Sequence, residues 1–387
     1  MSERSSIEWT DATWQIVTGC SIVSPACTNC YAMRLAGTRL RNHPSRAGLT
    51  RETKTGPVWT GEVRFNEEWL LQPLQWERPR RIFVAAHGDL FHEGVKDEWL
   101  DRIFAVMALA SWHTLQVLTK CPARMRAYMS DPRRPHRIAR AILDLIIAGR
   151  VPKSAISDDH WPIKSIGDVD LPDDITLHRW PPANVWCGVT AEDQKRADER
   201  IPDLLATPAA ARFVSVEPML GPVELGNLPF ANGQMHVKAL TGETLSRAGD
   251  YDNDGPRLDW VICGGESGPN ARPMHPAWAR SLRGQCAAAG VPFFFKQWGE
   301  WKPVCEMSED EIDAAYHPAL KTFPEAARRR RFPQCVLHDD ANRFVAVEAH
   351  GAFQGGKQAM LMIRVGRARA GRLLDGVEHN GFPEPRP

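Results

Sequence analysis

The chain of 387 residues contains no apolar run long enough to span a bilayer. Its first residues, Met1-Ser2-Glu3-Arg4-Ser5-Ser6, lack the apolar core of a signal peptide. Nine cysteines is an odd number, and beyond an opening trio they are scattered singly, which argues against a disulfide framework. A reducing cytoplasm is therefore the expected location, with Cys121, Cys187, Cys263, Cys286 and Cys335 as small packing residues. A net charge of +1 gives no whole-chain signal for nucleic acid. Basic residues do cluster locally, at Arg328–Arg331 and again at Lys357, Arg364, Arg367, Arg369 and Arg372. That pattern fits a solvated surface first and a phosphate-contacting patch second. No sequence repeat of solenoid or propeller type is present.

What is present is a rhythm. Runs rich in β-formers fall at residues 13–18, 81–86, 114–119, 184–189, 212–216, 258–263 and 291–295. Several are almost continuously apolar, as in Ile82-Phe83-Val84-Ala85-Ala86, the pattern of strands covered on both faces. Amphipathic stretches at 97–111, 136–148 and 276–289 lie between them, so parallel pairing with right-handed crossovers is expected. Each run ends in polar, ionisable or glycine-rich residues: His87-Gly88-Asp89, Lys120, Thr190-Ala191-Glu192-Asp193, Glu217-Pro218, Gly264-Gly265-Glu266-Ser267-Gly268, and Lys296-Gln297-Trp298-Gly299-Glu300. In a β/α barrel those ends form the active-site face. The expected fold is α/β, a (β/α) barrel or partial barrel over 1–301, with a doubly wound open sheet as the alternative. Segments 149–182 and 226–256 read as insertions, and 302–387 as a small appendage with strands near 336–338 and 344–347.

The first run leads into Gly19-Cys20-Ser21-Ile22-Val23-Ser24-Pro25-Ala26-Cys27-Thr28-Asn29-Cys30-Tyr31. Cys27 and Cys30 form a Cys-x-x-Cys hook, and Cys20 joins them on one tight loop. Three thiolates hold a metal centre and leave one valence open, as in a [4Fe–4S] cluster with a free iron. Structural zinc is the competing reading, but it wants a fourth ligand, and no second hook exists; His43 is the nearest histidine. A redox pair would not need Cys20. A barrel hydrolase using Asp89, His92 and Glu217 with a divalent metal would leave the cysteine spacing unexplained.

With Asp89-Leu90-Phe91-His92-Glu93, Leu118-Thr119-Lys120, Gly188-Val189-Thr190-Ala191-Glu192, Ser215-Val216-Glu217-Pro218, Gly264–Gly268 and Phe294–Gly299, this loop resembles a phage-associated, largely uncharacterised family. That family is itself similar to radical S-adenosylmethionine enzymes. The resemblance implies a radical-SAM type of barrel, with Cys20, Cys27 and Cys30 ligating iron. It implies S-adenosylmethionine chelated to the free iron, a reducing electron donor, and hydrogen abstraction from a substrate. Gly88 and Asp89 fall where the superfamily contacts the cofactor's amino group, and Gly264, Gly265 and Glu266 are placed to approach its ribose or adenine. Glu217 is read as a ribose acceptor or acid–base group, and Lys120 and Lys296 as partners for a carboxylate or phosphate. The usual superfamily motif has three residues between the first two cysteines where this chain has six, and an aromatic residue where Asn29 stands. DNA, RNA or a nucleotide, for modification or repair, is the expected substrate class. A non-catalytic, zinc-stabilised binding protein remains the alternative.

Overall fold

The computed structural model describes residues 5–156, 161–165, 175–230, 233–246, 248, 251–317, 330–340, 344–354 and 358–384. Seven strands form one sheet in the order in which they occur along the chain. They are β1 (Ala12–Trp14), β2 (Arg81–Val84), β3 (Thr114–Thr119), β4 (Val185–Thr190), β5 (Ala211–Val216), β6 (Trp260–Gly264) and β7 (Phe293–Gln297). Every neighbouring pair is parallel. A sheet that adds each new strand on the same side, without reversing, curls on itself, and here β1 and β7 remain its edges. The result is a partial barrel, and each of the seven apolar runs supplied one of its strands.

The connections explain the curl. α1 (Tyr31–Gly37) follows β1, α2 (Asp97–Leu109) follows β2, and α3 (Pro122–Met129) and α4 (Arg134–Ile147) follow β3. α5 (Gln194–Leu205) follows β4, and α6 (Pro276–Ala289) follows β6. Asp97 and Glu98 in the first turn of α2 complement the helix dipole, and nine of its thirteen residues are buried. Helix α4 buries the stripe Ile138, Ala139, Ile142 and Leu145. Helix α6 starts on Pro276, is capped by His275 Nδ1 accepting from the Ala277 amide at 3.1 Å, and stops at Gly290 in the left-handed region.

Between β5 and β6 the second insertion is more ordered than a surface loop. Leu228–Phe230, Met235–Val237, Thr244–Ser246 and Tyr251–Asp252 make a four-stranded antiparallel sheet. The first insertion contributes a hairpin of Ile163–Ser165 and Ile175–Leu177, with 157–160 and 166–174 outside the described residues. Lys302–Pro303, Met360–Ile363, Gln334–Leu337 and Phe344–Ala346 form a second antiparallel sheet. It shares the main core through Cys335, Leu337 and Met362. From there the chain returns to the barrel. Asn380 bridges Phe294 antiparallel, with the Phe295 amide donating to His379 O at 3.0 Å.

The barrel interior is filled, not hollow. Trp9, Trp186, Phe213, Trp260 and Phe294 form a buried aromatic plug, with Phe83 packed against it. Trp9 meets Phe83 at 4.8 Å and Trp260 edge-on at 6.1 Å between centroids. This plug is the floor of whatever lies at the strands' carboxyl ends. Among the described residues no helix is long and apolar enough to cross a membrane.

Candidate functional site

The cysteine loop is fixed over the carboxyl ends of the strands from several sides. After β1, Val17–Thr18 pairs antiparallel with Arg64–Phe65, and the Gly19 amide donates to His87 O at 3.1 Å beyond β2. Gly19 has φ +93°, and a Cβ there would come within 2.2 Å of Glu62 O, so both its dihedral and its surroundings require glycine. Farther along, buried Glu192 beyond β4 accepts from the Ala26 amide at 3.3 Å and from Arg200 at 3.0 Å. Asn29 Nδ2 donates to Glu266 Oε2 at 3.0 Å and to Asn270 O at 2.9 Å. Arg272 clamps Glu266 at 2.5 Å and donates to Pro25 O at 3.0 Å. Tyr31 donates to Ala86 O at 2.9 Å. Burial alone would raise the Glu192 carboxyl, but a hydrogen bond from Ser24 and the charge of Arg200 bring it below its usual range.

These clamps place Cys20, Cys27 and Cys30 on the wall of one cavity of about 220 Å³. All three are free thiols; Cys27 is buried and the others are half-buried. Cys20 Sγ lies 3.5 Å from Ser21 O, and Cys27 Sγ lies 3.8 Å from Ser24 Oγ. Burial, reinforced by the negative charge of Asp89, pushes the Cys20 thiol far above its ordinary value, and Lys120 opposes this. Among the described residues no group of three or more His, Cys, Asp or Glu is drawn together to hold a metal. The three thiols share one cavity wall, and no fourth protein ligand is drawn to them among the described residues. His43, the fourth zinc ligand considered from sequence, binds Ser45 Oγ at 2.7 Å and lines a different cavity. The carboxylates facing the thiols are already engaged by other groups.

Those carboxylates come from the strand ends, as the sequence pattern implies. Asp89 Oδ1 accepts from Thr119 Oγ1 at 2.6 Å and from the Phe91 amide at 3.0 Å; Oδ2 accepts from the Lys120 amide at 2.8 Å. Asp89 thus staples the end of β2 to that of β3. Glu217, after β5, pairs with Lys296 of β7 at 2.5 Å, both largely buried. Lys120 Nζ reaches Thr190 Oγ1 at 3.5 Å. Gly88, Asp89, Lys120, Glu217, Gly265, Glu266 and Lys296 all line the cavity. Gly264 does not; it lies beneath, where a Cβ would touch Glu217 and Lys296 at 3.4 Å. The close approach at Gly265 is to protein: a Cβ there would sit 2.0 Å from Trp298 O. Trp298 is packing, with its indole donating to Leu373 O at 2.7 Å. His92 pairs with Ser21 Oγ at 2.7 Å and does not line the cavity, which separates it from Asp89 and Glu217.

The rest of the lining is largely apolar. Ile7, Trp9, Tyr31, Trp59, Phe83 and Leu118 contribute to it, and the Trp9 indole N–H is buried without a partner among the described residues. Sequence reasoning had no access to this wall, nor to Arg272, which stands in none of the motifs. Glu192 was visible at a strand end, but not its hold on the cysteine loop. Of the C-terminal arginines, Arg364 donates to Gly268 O at 3.0 Å, Arg367 pairs with Glu8 at 2.6 Å, and Arg372 lies over Phe294. Arg328, Arg329 and Lys357 lie outside the described residues.

Residues 4–383 match a family model described as a protein of unknown function (DUF5131). No curated protein and no solved structure matches the chain.

Proposed function

The chain belongs to the DUF5131 family, and we propose that it is an iron–sulfur enzyme of radical S-adenosylmethionine type. The observation that carries this reading is the convergence of Cys20, Cys27 and Cys30 on one cavity at the carboxyl ends of a parallel partial barrel, with the Glu217–Lys296 pair and Asp89 lining the same space. Bound there, a [4Fe–4S] cluster with S-adenosylmethionine would supply one-electron cleavage of a carbon–sulfur bond and a carbon radical able to take a hydrogen atom. The chain's own residues would do the rest. Cys20, Cys27 and Cys30 would hold the iron as thiolates. Glu192, Glu266 and Arg272 keep their loop in place. The apolar wall of Trp9, Tyr31, Phe83 and Leu118 would shield one side of the reacting atoms from bulk water. Glu217 and Lys296, charged and close together, would orient polar groups of cofactor or substrate.

Anaerobic reconstitution with iron and sulfide tests the reading. We expect electron paramagnetic resonance of the reduced protein to show a cluster signal that changes when S-adenosylmethionine is added, and alanine at any one of the three cysteines to remove it. Stoichiometric zinc without a cluster signal would overturn the proposal. Full iron content in all three variants would do so as well. DNA, RNA or a nucleotide as substrate is a further part of the proposal. The described C-terminal arginines lend it no support, because their contacts are internal. Filter binding across a salt series should show affinity falling with salt if the substrate is a nucleic acid.

A further inference from the structure

Behind Tyr31, Ile7 and Ala86, which it shares with the thiol cavity, lies a second cavity of about 570 Å³. Arg46 lines it and is only 4% exposed. A guanidinium so enclosed ordinarily faces a carboxylate, since an uncompensated buried charge is costly. Among the described residues Arg46 has no carboxylate partner. One terminal nitrogen donates to Ser45 Oγ at 2.6 Å and the other to His87 Nδ1 at 2.8 Å, while Nε is buried without a partner. Another cation, Arg64, acts on it electrostatically and spends its own donors on Pro44 O and Ala47 O.

The hydrogen-bond polarity around Arg46 points one way. His87 Nδ1 accepts from Arg46, so the neutral His87 ring carries its proton on Nε2. The Ser45 backbone amide donates to His43 Nδ1 at 3.3 Å, so that nitrogen is an acceptor and the ring's N–H donor is Nε2; Ser45 Oγ lies 2.7 Å from the same Nδ1. Burial and the Arg46 charge hold His87 down at about 4, consistent with a neutral ring. Among the described residues the cavity thus gathers a cation and two imidazole N–H donors without a matching negative group.

We propose that this second cavity is a binding site for a phosphate-class oxyanion, free or carried by a phosphate ester, with Arg46 as its counter-ion and the Nε2–H groups of His43 and His87 as neighbouring donors. The proposal goes beyond the iron–sulfur reading and stands without it, because no thiol takes part.

The test uses the full chain without iron reconstitution. Inorganic phosphate, and separately adenosine 5′-monophosphate, are titrated calorimetrically at constant ionic strength into wild type, Arg46→Gln and Arg46→Lys, with circular dichroism confirming the fold of each. Saturable binding to wild type is expected, weakened at least about tenfold in Arg46→Gln and by less in Arg46→Lys, which keeps the charge but loses the planar fork. Tighter binding of the nucleotide identifies an ester as the ligand; equal binding identifies free phosphate. Wild type that takes up neither probe saturably overturns the proposal. So does Arg46→Gln binding as tightly as wild type. Should Arg46→Gln fail to fold, the wild-type titration and Arg46→Lys decide.

Discussion

Replacing Glu192 by glutamine should reveal how the cysteine loop is held. The Glu192 side chain is wholly buried, and that of Arg200, 3.0 Å away, is only 6% exposed. Arg200 also donates to Thr190 O at 2.8 Å, so it stays in place when its carboxylate partner is neutralised. Breaking one side of such a pair leaves a buried charge uncompensated and costs about 3–5 kcal/mol. Glutamine keeps the volume and one acceptor for the Ala26 amide, so the lower end, about 3 kcal/mol, is expected for Glu192→Gln. Arg200→Met should cost a similar amount. The double variant should recover about 2 kcal/mol relative to the sum, since neither charge then remains alone. Urea unfolding followed by tryptophan fluorescence and far-ultraviolet dichroism measures all four proteins. The pH dependence has a definite sign. The folded carboxyl lies below the ordinary value of 4.5, so its contribution is complete above that value and is lost as pH falls through the lower, folded one. The gap between wild type and Glu192→Gln should therefore be full at pH 7 and should narrow in strong acid. A single-variant loss under about 1 kcal/mol at pH 7, or strict additivity in the double, would refute the reasoning.

Gly265→Ala should destabilise by about 3 kcal/mol or more, because its Cβ would lie 2.0 Å from the Trp298 carbonyl; a denaturation midpoint near wild type would contradict that geometry. Glu217→Gln and Lys296→Met should each cost about 1–2 kcal/mol, and because both remove one contact, the double should cost less than the sum. Additive losses would show the two groups to be independent. His87 is held at about 4 against an ordinary 6.5. The unfolded chain therefore binds a proton there that the folded one refuses, and stability should fall as pH drops from about 6.5 towards 4, by roughly 3 kcal/mol in all. His87→Gln should flatten that part of the stability–pH profile, and an unchanged slope would exclude His87 as its source.

The strands of the barrel were legible because a strand covered on both faces must be nearly all apolar, and runs such as Ile82-Phe83-Val84 can do little else. The polar residues after each strand were legible as a set for the same reason: they interrupt those runs at one end. Shape was less accessible. Met235–Val237 and Thr244–Ser246 are three-residue strands of mixed polarity, and pairing with each other, not composition, makes them a sheet. Gly264-Gly265-Glu266 could be found as a motif, but the sequence could not say that the missing Cβ of Gly265 makes room for the Trp298 carbonyl, just past the end of the next strand. Arg46 and Arg272 looked like any other arginine. Only the fold shows that one grips Glu266 while the other is buried with no carboxylate beside it among the described residues.

An open half-barrel exposes two rows of unpaired backbone groups, and β7 offers the more hazardous one, Phe293-Phe294-Phe295. The chain covers it with its own later residues. Gly381 donates to Phe293 O at 3.0 Å, Phe295 donates to His379 O, and Phe382 packs on Trp260 and Phe294. Residues 379–382 thus act as a guard against self-templating. Without them, a triple-phenylalanine edge would be free to recruit the same edge of another molecule, so a shortened chain should fail by aggregating before it fails by losing its fold.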